Sequence, residues 1–321
     1  DLISTGLGIN GMNWISSPSA TELESHVLDW LVDMMDLPKK FKSTEIGGGV
    51  LQDTASSSSL VALIAAREKT SKGEINNNGY NRKLTVYTSS QAHSSIEKAV
   101  KIAGIGKNNL RLVDVDNSFA MDVNHLRKLI LQDIDNGLQP SYVCATVGTT
   151  SSTAIDPVEE IGLICKEFGI WLHVDAAMAG PAALCPEYRF INNGVEYADS
   201  YTFNPHKWML TNFDCSVFYV AKRELLIDAM TILPEYLKNK ATESQTVFDF
   251  RDWGIPLGRR FRALKLWNVI NYYGITGLQE YIHEHMRNTQ ELKKWIDKDP
   301  NFEIIAPVPL TLICFRHKNG D

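Results

Sequence analysis

The sequence predicts an α/β fold with a mostly parallel sheet, because short β-branched or apolar segments alternate with helical ones over the middle of the chain. The six predicted strands are Leu84–Tyr87, Leu110–Val113, Tyr142–Thr146, Trp171–Val174, Ser200–Phe203 and Val217–Val220. Helical periodicity lies between several of them, at Ile96–Ala103, Val123–Asp133 and Pro157–Glu167. Ligands of such sheets bind at the carboxyl ends of the strands, so residues there are the first candidates for a functional site.

Two helices and a glycine-containing loop are predicted before the first of these strands. Apolar residues recur at helical spacing from Ala20 to Met35, which indicates an amphipathic helix. A loop containing Gly47–Gly49 follows. The small and apolar run from Ser57 to Arg67 predicts a second helix that packs closely against another element.

The alternation ends after Val220, where long helical patterns begin at Leu257–Tyr273 and Leu278–Asp297. The segment Phe302–Phe315 predicts the opening of a smaller α+β domain, and its strand-like run Leu310–Phe315 has no evident partner. We therefore expect an N-terminal linker and helix over 1–36, a large domain over 37–270 and the start of a small C-terminal domain over 271–321. The unpaired final run and the absence of an initiator methionine predict truncation at both ends.

Composition favours a small-molecule ligand. The formal net charge is -6 and no basic run stands out, which argues against a nucleic acid or membrane surface as partner. No apolar run approaches the ~20 residues of a membrane helix. The five cysteines are scattered without CxxC spacing, so we expect reduced core thiols, a cytosolic protein and no metal site.

A lysine and an aspartate follow two of the predicted strands. Lys207 lies in Phe203–Trp208, just past a strand end, and a lysine amine forms a Schiff base with an aldehyde cofactor. Asp175 ends the strand before it, where a buried carboxylate keeps a pyridine nitrogen protonated and the ring able to accept electrons. Taken singly, a surface lysine and a helix-capping aspartate are the more common roles of such residues.

Three further segments fit the same ligand. His93 lies at a strand-to-helix turn, where its imidazole can stack on a flat ring, although a polar helix start is the commoner role. The segment Leu51–Ser56 leads into a helix and offers backbone N–H groups to a phosphate. Thr150 follows the Tyr142–Thr146 strand and can contact the phenolic side or the phosphate of such a cofactor.

The order and spacing of four of these features, Leu51–Ser56, His93, Asp175 and Lys207, resemble the group II pyridoxal-phosphate decarboxylases along nearly the whole chain. The segments Ser17–Glu24, His173–Ala177 and Pro256–Arg262 look most like the aromatic-L-amino-acid decarboxylase branch. The resemblance implies the fold type I of pyridoxal-phosphate transferases, with a seven-stranded, mostly parallel sheet. It also implies a cytoplasmic homodimer with active sites at its interface.

Site residues carry over from the family by position. The resemblance implies that Lys207 binds pyridoxal 5'-phosphate covalently, that Asp175 pairs with the ring nitrogen and that His93 stacks on the ring. The full set of implied cofactor contacts is Ala55, Ser56, His93, Thr150, Asp175, Ala177, Asn204, His206 and Lys207. The implied substrate pocket contains Met12, Trp14, His93 and Gly258.

A tyrosine in a segment similar to the family's mobile loop completes the implied machinery. Tyr236, within Leu233–Lys238, is the candidate general acid that protonates the α-carbon after carbon dioxide leaves. Plant relatives with phenylalanine there form aldehydes, so a tyrosine resembles the decarboxylase pattern. Gly258 stands where histidine- and many tyrosine-specific relatives have serine, which favours a dopa-, 5-hydroxytryptophan- or tryptophan-like substrate. Met12 replaces an aromatic residue of animal relatives.

Three alternatives stay open from the sequence. Two keep the cofactor: an aromatic aldehyde synthase, and a histidine or glutamate decarboxylase. The third is a non-catalytic dimeric scaffold that keeps the fold, against which the presence of Lys207, Asp175, His93 and Tyr236 speaks.

Overall fold

The computed structural model describes residues 1–80, 83–232 and 247–320. Its strands are β1 (Gly48–Gln52), β2 (Leu84–Ser89), β3 (Leu110–Val113), β4 (Gln139–Thr146), β5 (Trp171–Asp175), β6 (Ser200–Phe203), β7 (Ser216–Val220), β8 (Phe302–Ile304) and β9 (Phe315–His317). The first seven form one sheet in the order β1-β7-β6-β5-β4-β2-β3, and β8 pairs with β9. The strands β2 to β6 pair in parallel, whereas β7 is antiparallel to both β6 and β1. The predicted mostly parallel seven-stranded sheet is confirmed.

Some of the helices lie in the crossovers between the parallel strands. They are α1 (Leu2–Leu7), α2 (Pro18–Met34), α3 (Ala55–Ser71), α4 (Glu74–Asn78), α5 (Ser95–Ile102), α6 (Val123–Asp135), α7 (Val158–Phe168), α8 (Pro205–Trp208), α9 (Arg223–Met230) and α10 (Arg262–Lys298). The backbone of α10 leaves helical geometry at Gly274, where φ is 62° and ψ is 177°. Within the described ranges, no helix is both long and apolar enough to span a bilayer.

Each face of the sheet packs into its own hydrophobic cluster. Along β5, Leu172 and Val174 belong to one cluster, while Trp171 belongs to the other. Helices α2, α6, α7 and α10 contribute to the first cluster, and α3, α5 and α9 to the second. This alternation with a period of two residues is the expected pattern for strands buried on both faces, and it turns His173 and Asp175 toward the α3 side.

The predicted glycine loop is wrong in part, because Gly48 and Gly49 belong to the edge strand β1. A Cβ on Gly49 would lie 2.6 Å from Cε1 of Tyr219, and one on Gly48 would lie 2.9 Å from Cη2 of Trp253. The glycines therefore permit close approach of two aromatic rings, which is one reason for glycine within a strand. Composition alone does not distinguish such a strand from a glycine-containing loop.

The C-terminal predictions need two corrections. The first predicted helix starts only at Arg262, so Leu257 to Phe261 are not helical, while the break of α10 at Gly274 falls between the two predicted helices. The predicted strand Leu310–Phe315 is wrong, since the strand is Phe315–His317 and it pairs with Phe302–Ile304. The domain boundaries at positions 36 and 270 stay predictions.

Candidate active site

A cavity of about 240 Å³ opens at the carboxyl ends of β4, β5 and β6 and at the start of α3. Its volume lies just below the range of drug-sized ligand pockets, which suits a small cofactor. The nine residues predicted to contact a cofactor all line it: Ala55, Ser56, His93, Thr150, Asp175, Ala177, Asn204, His206 and Lys207. Strand ends and helix starts that are far apart in sequence thus converge on one volume.

Asp175 is the buried acid of the cavity, with 4% of its surface exposed. The Ala177 N–H donates a hydrogen bond to its Oδ1 at 3.0 Å. Burial raises the pKa of Asp175, while that hydrogen bond and the positive charges of Lys207 and His93 oppose the shift. Asp175 is buried and forms no ion pair with the residues that the structure describes, so its carboxylate can stabilise a cationic group that enters the cavity.

Lys207 is presented by a short helix that follows β6 directly. The Asn204 N–H donates to the Ala177 carbonyl at 3.0 Å, and the Lys207 N–H donates to the Asn204 carbonyl at 2.9 Å. Pro205 at the first turn fixes the backbone between them. The Lys207 side chain is exposed to the cavity. A chain of backbone hydrogen bonds therefore fixes the lysine relative to the loop after Asp175.

His206 anchors this turn from behind. Its Nδ1 accepts a hydrogen bond from the Cys215 N–H at 2.9 Å, and its ring lies 4.9 Å from that of Phe213, centroid to centroid. Burial lowers the pKa of His206. The imidazole thus joins the lysine turn to the loop before β7.

His93 lies on the exposed turn between β2 and α5. The Ser95 N–H donates to its Nδ1 at 3.2 Å, and the Ser95 hydroxyl lies 2.9 Å from the same nitrogen. Because Nδ1 is the acceptor, the proton of the neutral ring lies on Nε2. Ser95 thereby fixes both the orientation and the tautomer of the ring.

The other side of the cavity offers donors and acceptors that await partners. Ala55 and Ser56 are the first residues of α3, whose first N–H groups have no acceptor inside the helix. Asn204 Oδ1 and Thr146 Oγ1 are buried and have no hydrogen-bond partner within the described part of the chain. Thr150 follows Gly148, whose φ of 83° makes the turn. An anionic group would satisfy the N–H groups at the start of α3, and a donor group on the same ligand would satisfy Asn204 Oδ1.

The sequence did not single out several residues of the site. Thr146 and Phe213 line the cavity, and Asp156 holds the Thr146 backbone by accepting its N–H at 2.7 Å. The position of Thr146 at a strand end was a usable signal for it. Phe213 reaches the cavity from a loop, and no sequence pattern indicates that this loop lies at the site.

Of the predicted substrate residues, His93 lines this cavity, whereas Met12, Trp14 and Gly258 do not. The Met12 carbonyl accepts the Arg251 N–H at 2.8 Å, and the Trp14 indole N–H donates to Glu22 at 3.0 Å. Gly258 is exposed, and a Cβ there would lie 3.7 Å from Nδ2 of Asn10. Tyr236 falls outside the described residues, so its role stays a prediction.

A profile described as "Pyridoxal-dependent decarboxylase conserved domain" matches residues 1–318. The match extends over the strands and helices of the cavity and over both hydrophobic clusters of the sheet.

Individual relatives agree with that profile. Tryptophan decarboxylase 2 of Oryza sativa subsp. japonica is 47% identical over all of this chain and 66% of the relative's length. Phenylacetaldehyde synthase of Arabidopsis thaliana is 48% identical over 98% of this chain and 64% of the relative. A crystal structure of Oryza sativa TDC with PLP and tryptamine superimposes with a TM-score of 0.94 at 40% identity, covering 99% of this chain and 66% of that one. The chain thus spans just under two thirds of these relatives.

Proposed function

Because the chain belongs to the pyridoxal-dependent decarboxylase family, we propose that it forms the cofactor-binding part of an enzyme that converts an aromatic L-amino acid into its amine and carbon dioxide. One observation carries the proposal: a single cavity gathers an exposed lysine, a buried aspartate, a histidine on its rim and the N-terminus of α3.

The residues of the cavity fit pyridoxal phosphate. The N–H groups of Ala55 and Ser56, at the positive end of the α3 dipole, suit its phosphate. The orphaned Asn204 Oδ1 and Thr146 Oγ1 are buried polar atoms that a ligand would satisfy. The Lys207 amine suits its aldehyde, and the carboxylate of Asp175 suits its ring nitrogen.

When bound, pyridoxal phosphate supplies an aldehyde that condenses with amines and a protonated ring that accepts the electrons released as carbon dioxide leaves. Asp175 keeps the proton at the ring nitrogen, because a carboxylate in a buried site interacts strongly with a nearby cation. His93, with its tautomer fixed by Ser95, covers one ring face and excludes water from it. The Lys207 amine would hold the aldehyde carbon of the cofactor and would exchange with the substrate amine.

By resemblance to the family's mobile loop, we assign the final protonation, that of the α-carbon, to Tyr236. A phenol that reaches the α-carbon after decarboxylation would yield the amine. This assignment rests on the sequence Leu233–Lys238 alone, since that segment lies outside the described residues.

Replacement of Lys207 by alanine tests the proposal. The wild-type protein with pyridoxal phosphate should show the absorption band of a lysine-bound cofactor, and Lys207→Ala should lack it and lose at least about 10³-fold in turnover. Lys98→Ala, at an exposed lysine of the nearby α5, is the matched control and should keep both. Normal turnover by Lys207→Ala would reject the proposal.

An aldehyde synthase is the second candidate, favoured by the 48% identity to the Arabidopsis phenylacetaldehyde synthase. The presence of a tyrosine at position 236 favours the decarboxylase. Quantifying amine against hydrogen peroxide and aldehyde for tryptophan, tyrosine, dopa and phenylalanine separates the two, because only the synthase consumes oxygen and releases peroxide.

We also propose a cytosolic homodimer. All five cysteines are free thiols, and four of them are buried, which suits a reducing compartment. Three of the predicted substrate residues, Met12, Trp14 and Gly258, lie outside the cavity of this chain, as they would if further segments or a second subunit completed the pocket. Light scattering of the purified protein tests the dimer.

A further inference from the structure

A strip of buried polar side chains lies between α3 and the sheet, beneath the cofactor cavity. His173 on β5 and Ser200 on β6 are register partners, and both have 0% exposed surface. The Nδ1 of His173 lies 2.8 Å from the Ser200 hydroxyl, and its Nε2 lies 3.3 Å from the hydroxyl of Ser59 on α3. The imidazole thus bridges the sheet and the helix.

The ring is fixed from several sides. The Trp171 indole N–H donates to the Ser200 hydroxyl at 2.8 Å, which holds that hydroxyl in place. The His173 ring stacks on the Tyr142 ring at a centroid distance of 5.9 Å and an angle of 25°. Burial lowers the pKa of His173 to about 3, so the ring stays neutral and offers one donor and one acceptor. Both of its hydrogen bonds can therefore form together.

Both ends of the bridge lead to the cavity. His173 precedes Asp175 by two residues on the same strand face, about 7 Å along the strand. Ser59 follows Ala55 by four residues, about one turn of α3. The strand that carries the acid and the helix whose first N–H groups face the cavity are thus joined by one side chain.

Many of the α3 residues that face the sheet are small. The helix begins with alanine and four serines, and Ala62, Ala65 and Ala66 continue its buried side beside the larger Val61 and Leu63. Small side chains allow close approach, but they form shallow ridges that resist sliding weakly. Directional hydrogen bonds through His173, together with the Ser58–Ser216 hydroxyl contact at 3.4 Å, help to fix the register of α3 on the sheet.

We propose that His173 is a positioning residue that sets the separation between the start of α3 and Asp175, and so matches the cavity to both ends of its cofactor. This inference rests on the proposed function. Loss of the His173 bridge would affect the phosphate contacts more than the ring contacts. The helix α3 would then move relative to the sheet, whereas β5 and its Asp175 would stay in place.

The test compares binding of pyridoxal phosphate and of pyridoxal to the apo-protein, because their affinity ratio isolates the phosphate contribution. An asparagine at position 173 places its amide near Nδ1 and keeps only the Ser200 contact, whereas a glutamine reaches the position of Nε2 and Ser59. We expect His173→Asn and Ser59→Ala to lower the ratio about tenfold, as the loss of a 1.4 kcal/mol interaction would. His173→Gln should preserve the ratio to within about threefold.

Ser141→Ala is the matched control, since Ser141 is another buried serine of the sheet whose hydroxyl donates to the Thr85 carbonyl at 2.9 Å. It should lower the melting temperature without changing the ratio. Equal losses of both affinities in the His173→Asn and Ser59→Ala variants would overturn the inference. Ser59→Ala keeps the test valid if His173→Asn does not fold. A wild type that binds neither compound would instead overturn the proposed function, and this inference with it.

Discussion

The cofactor cavity and the segments predicted to face the substrate are built in different ways. The cavity takes its residues from consecutive elements of one sheet, with Asp175 at the end of β5 and Lys207 just after β6. Met12 and Gly258 lie instead near an isolated bridge between Asn10 and Arg260, away from the sheet. Sheet pairing fixes the first region, whereas a single bridge and side-chain contacts fix the second.

One buried ion pair holds the second region. Arg259 pairs with Glu24 at 2.6 Å and also donates to the carbonyls of Gly11 and Leu51 at 2.9 Å and 2.8 Å. Glu24 in turn accepts the Leu51 N–H at 2.8 Å. The difference teaches that the geometry of the cavity is set by strand order, whereas the segments predicted to face the substrate depend on contacts between distant loops.

Among the variants that compare the two regions, Asp175→Asn is expected to have the largest effect on turnover, and it changes the first region, the cavity. Asparagine has nearly the same shape and can still accept the Ala177 N–H, so the variant removes charge and little else. Turnover should fall about 10²- to 10³-fold, the loss typical of removing one preorganised electrostatic contact. Steady-state rates with saturating cofactor measure it.

Asp199→Asn is the matched control, because Asp199 lies beyond the opposite end of β5, where its Oδ2 accepts the Leu172 N–H at 2.9 Å. It should retain wild-type turnover. A cofactor methylated at the ring nitrogen, which stays cationic without a carboxylate, should restore part of the activity of Asp175→Asn. Unchanged turnover in Asp175→Asn would show that the acid has no part in the chemistry.

This contrast explains what the sequence could predict. Strand ends can be predicted because apolar runs mark the strands, and the nine positions predicted to contact a cofactor all line one cavity. The edge strand β1 was not predicted, because Gly48 and Gly49 are needed there to make room for the rings of Trp253 and Tyr219. Both rings are remote in sequence. Phe213 was missed for the same reason, since only tertiary contacts bring its loop to the cavity.

Asp156 gives a test within the first region that does not depend on activity. This buried carboxylate accepts the N–H groups of Met121 and Thr146 at 2.8 Å and 2.7 Å, and burial raises its pKa to about 6. Between about pH 4 and 6 the Asp156 carboxyl keeps its proton in the folded protein and releases it in the unfolded chain. Its contribution to stability is therefore fully present below about pH 4 and is lost as the pH rises through 6, by roughly 3 kcal/mol.

Asp156→Asn should abolish that loss. The melting temperature of the wild type relative to the variant should be highest near pH 4 and should drop by roughly 4 °C by pH 7 for a chain of this length. Thermal unfolding at four pH values measures the difference. A constant difference across the range would contradict the raised pKa and the burial that causes it.

Gly258→Ser probes the second region and has the smallest expected effect. A Cβ at this exposed position would stand 3.7 Å from Nδ2 of Asn10, an ordinary contact, so the variant should fold and melt like the wild type. If Gly258 faces the substrate, the added hydroxyl should shift the ratio of kcat/KM for tryptophan over tyrosine toward tyrosine by about 10- to 100-fold. Cofactor affinity should stay unchanged, because no residue of the cavity is altered. Gly11→Ser, on the neighbouring segment, is the comparison variant, and an equal shift there would mean that the loop contact rather than position 258 sets the preference.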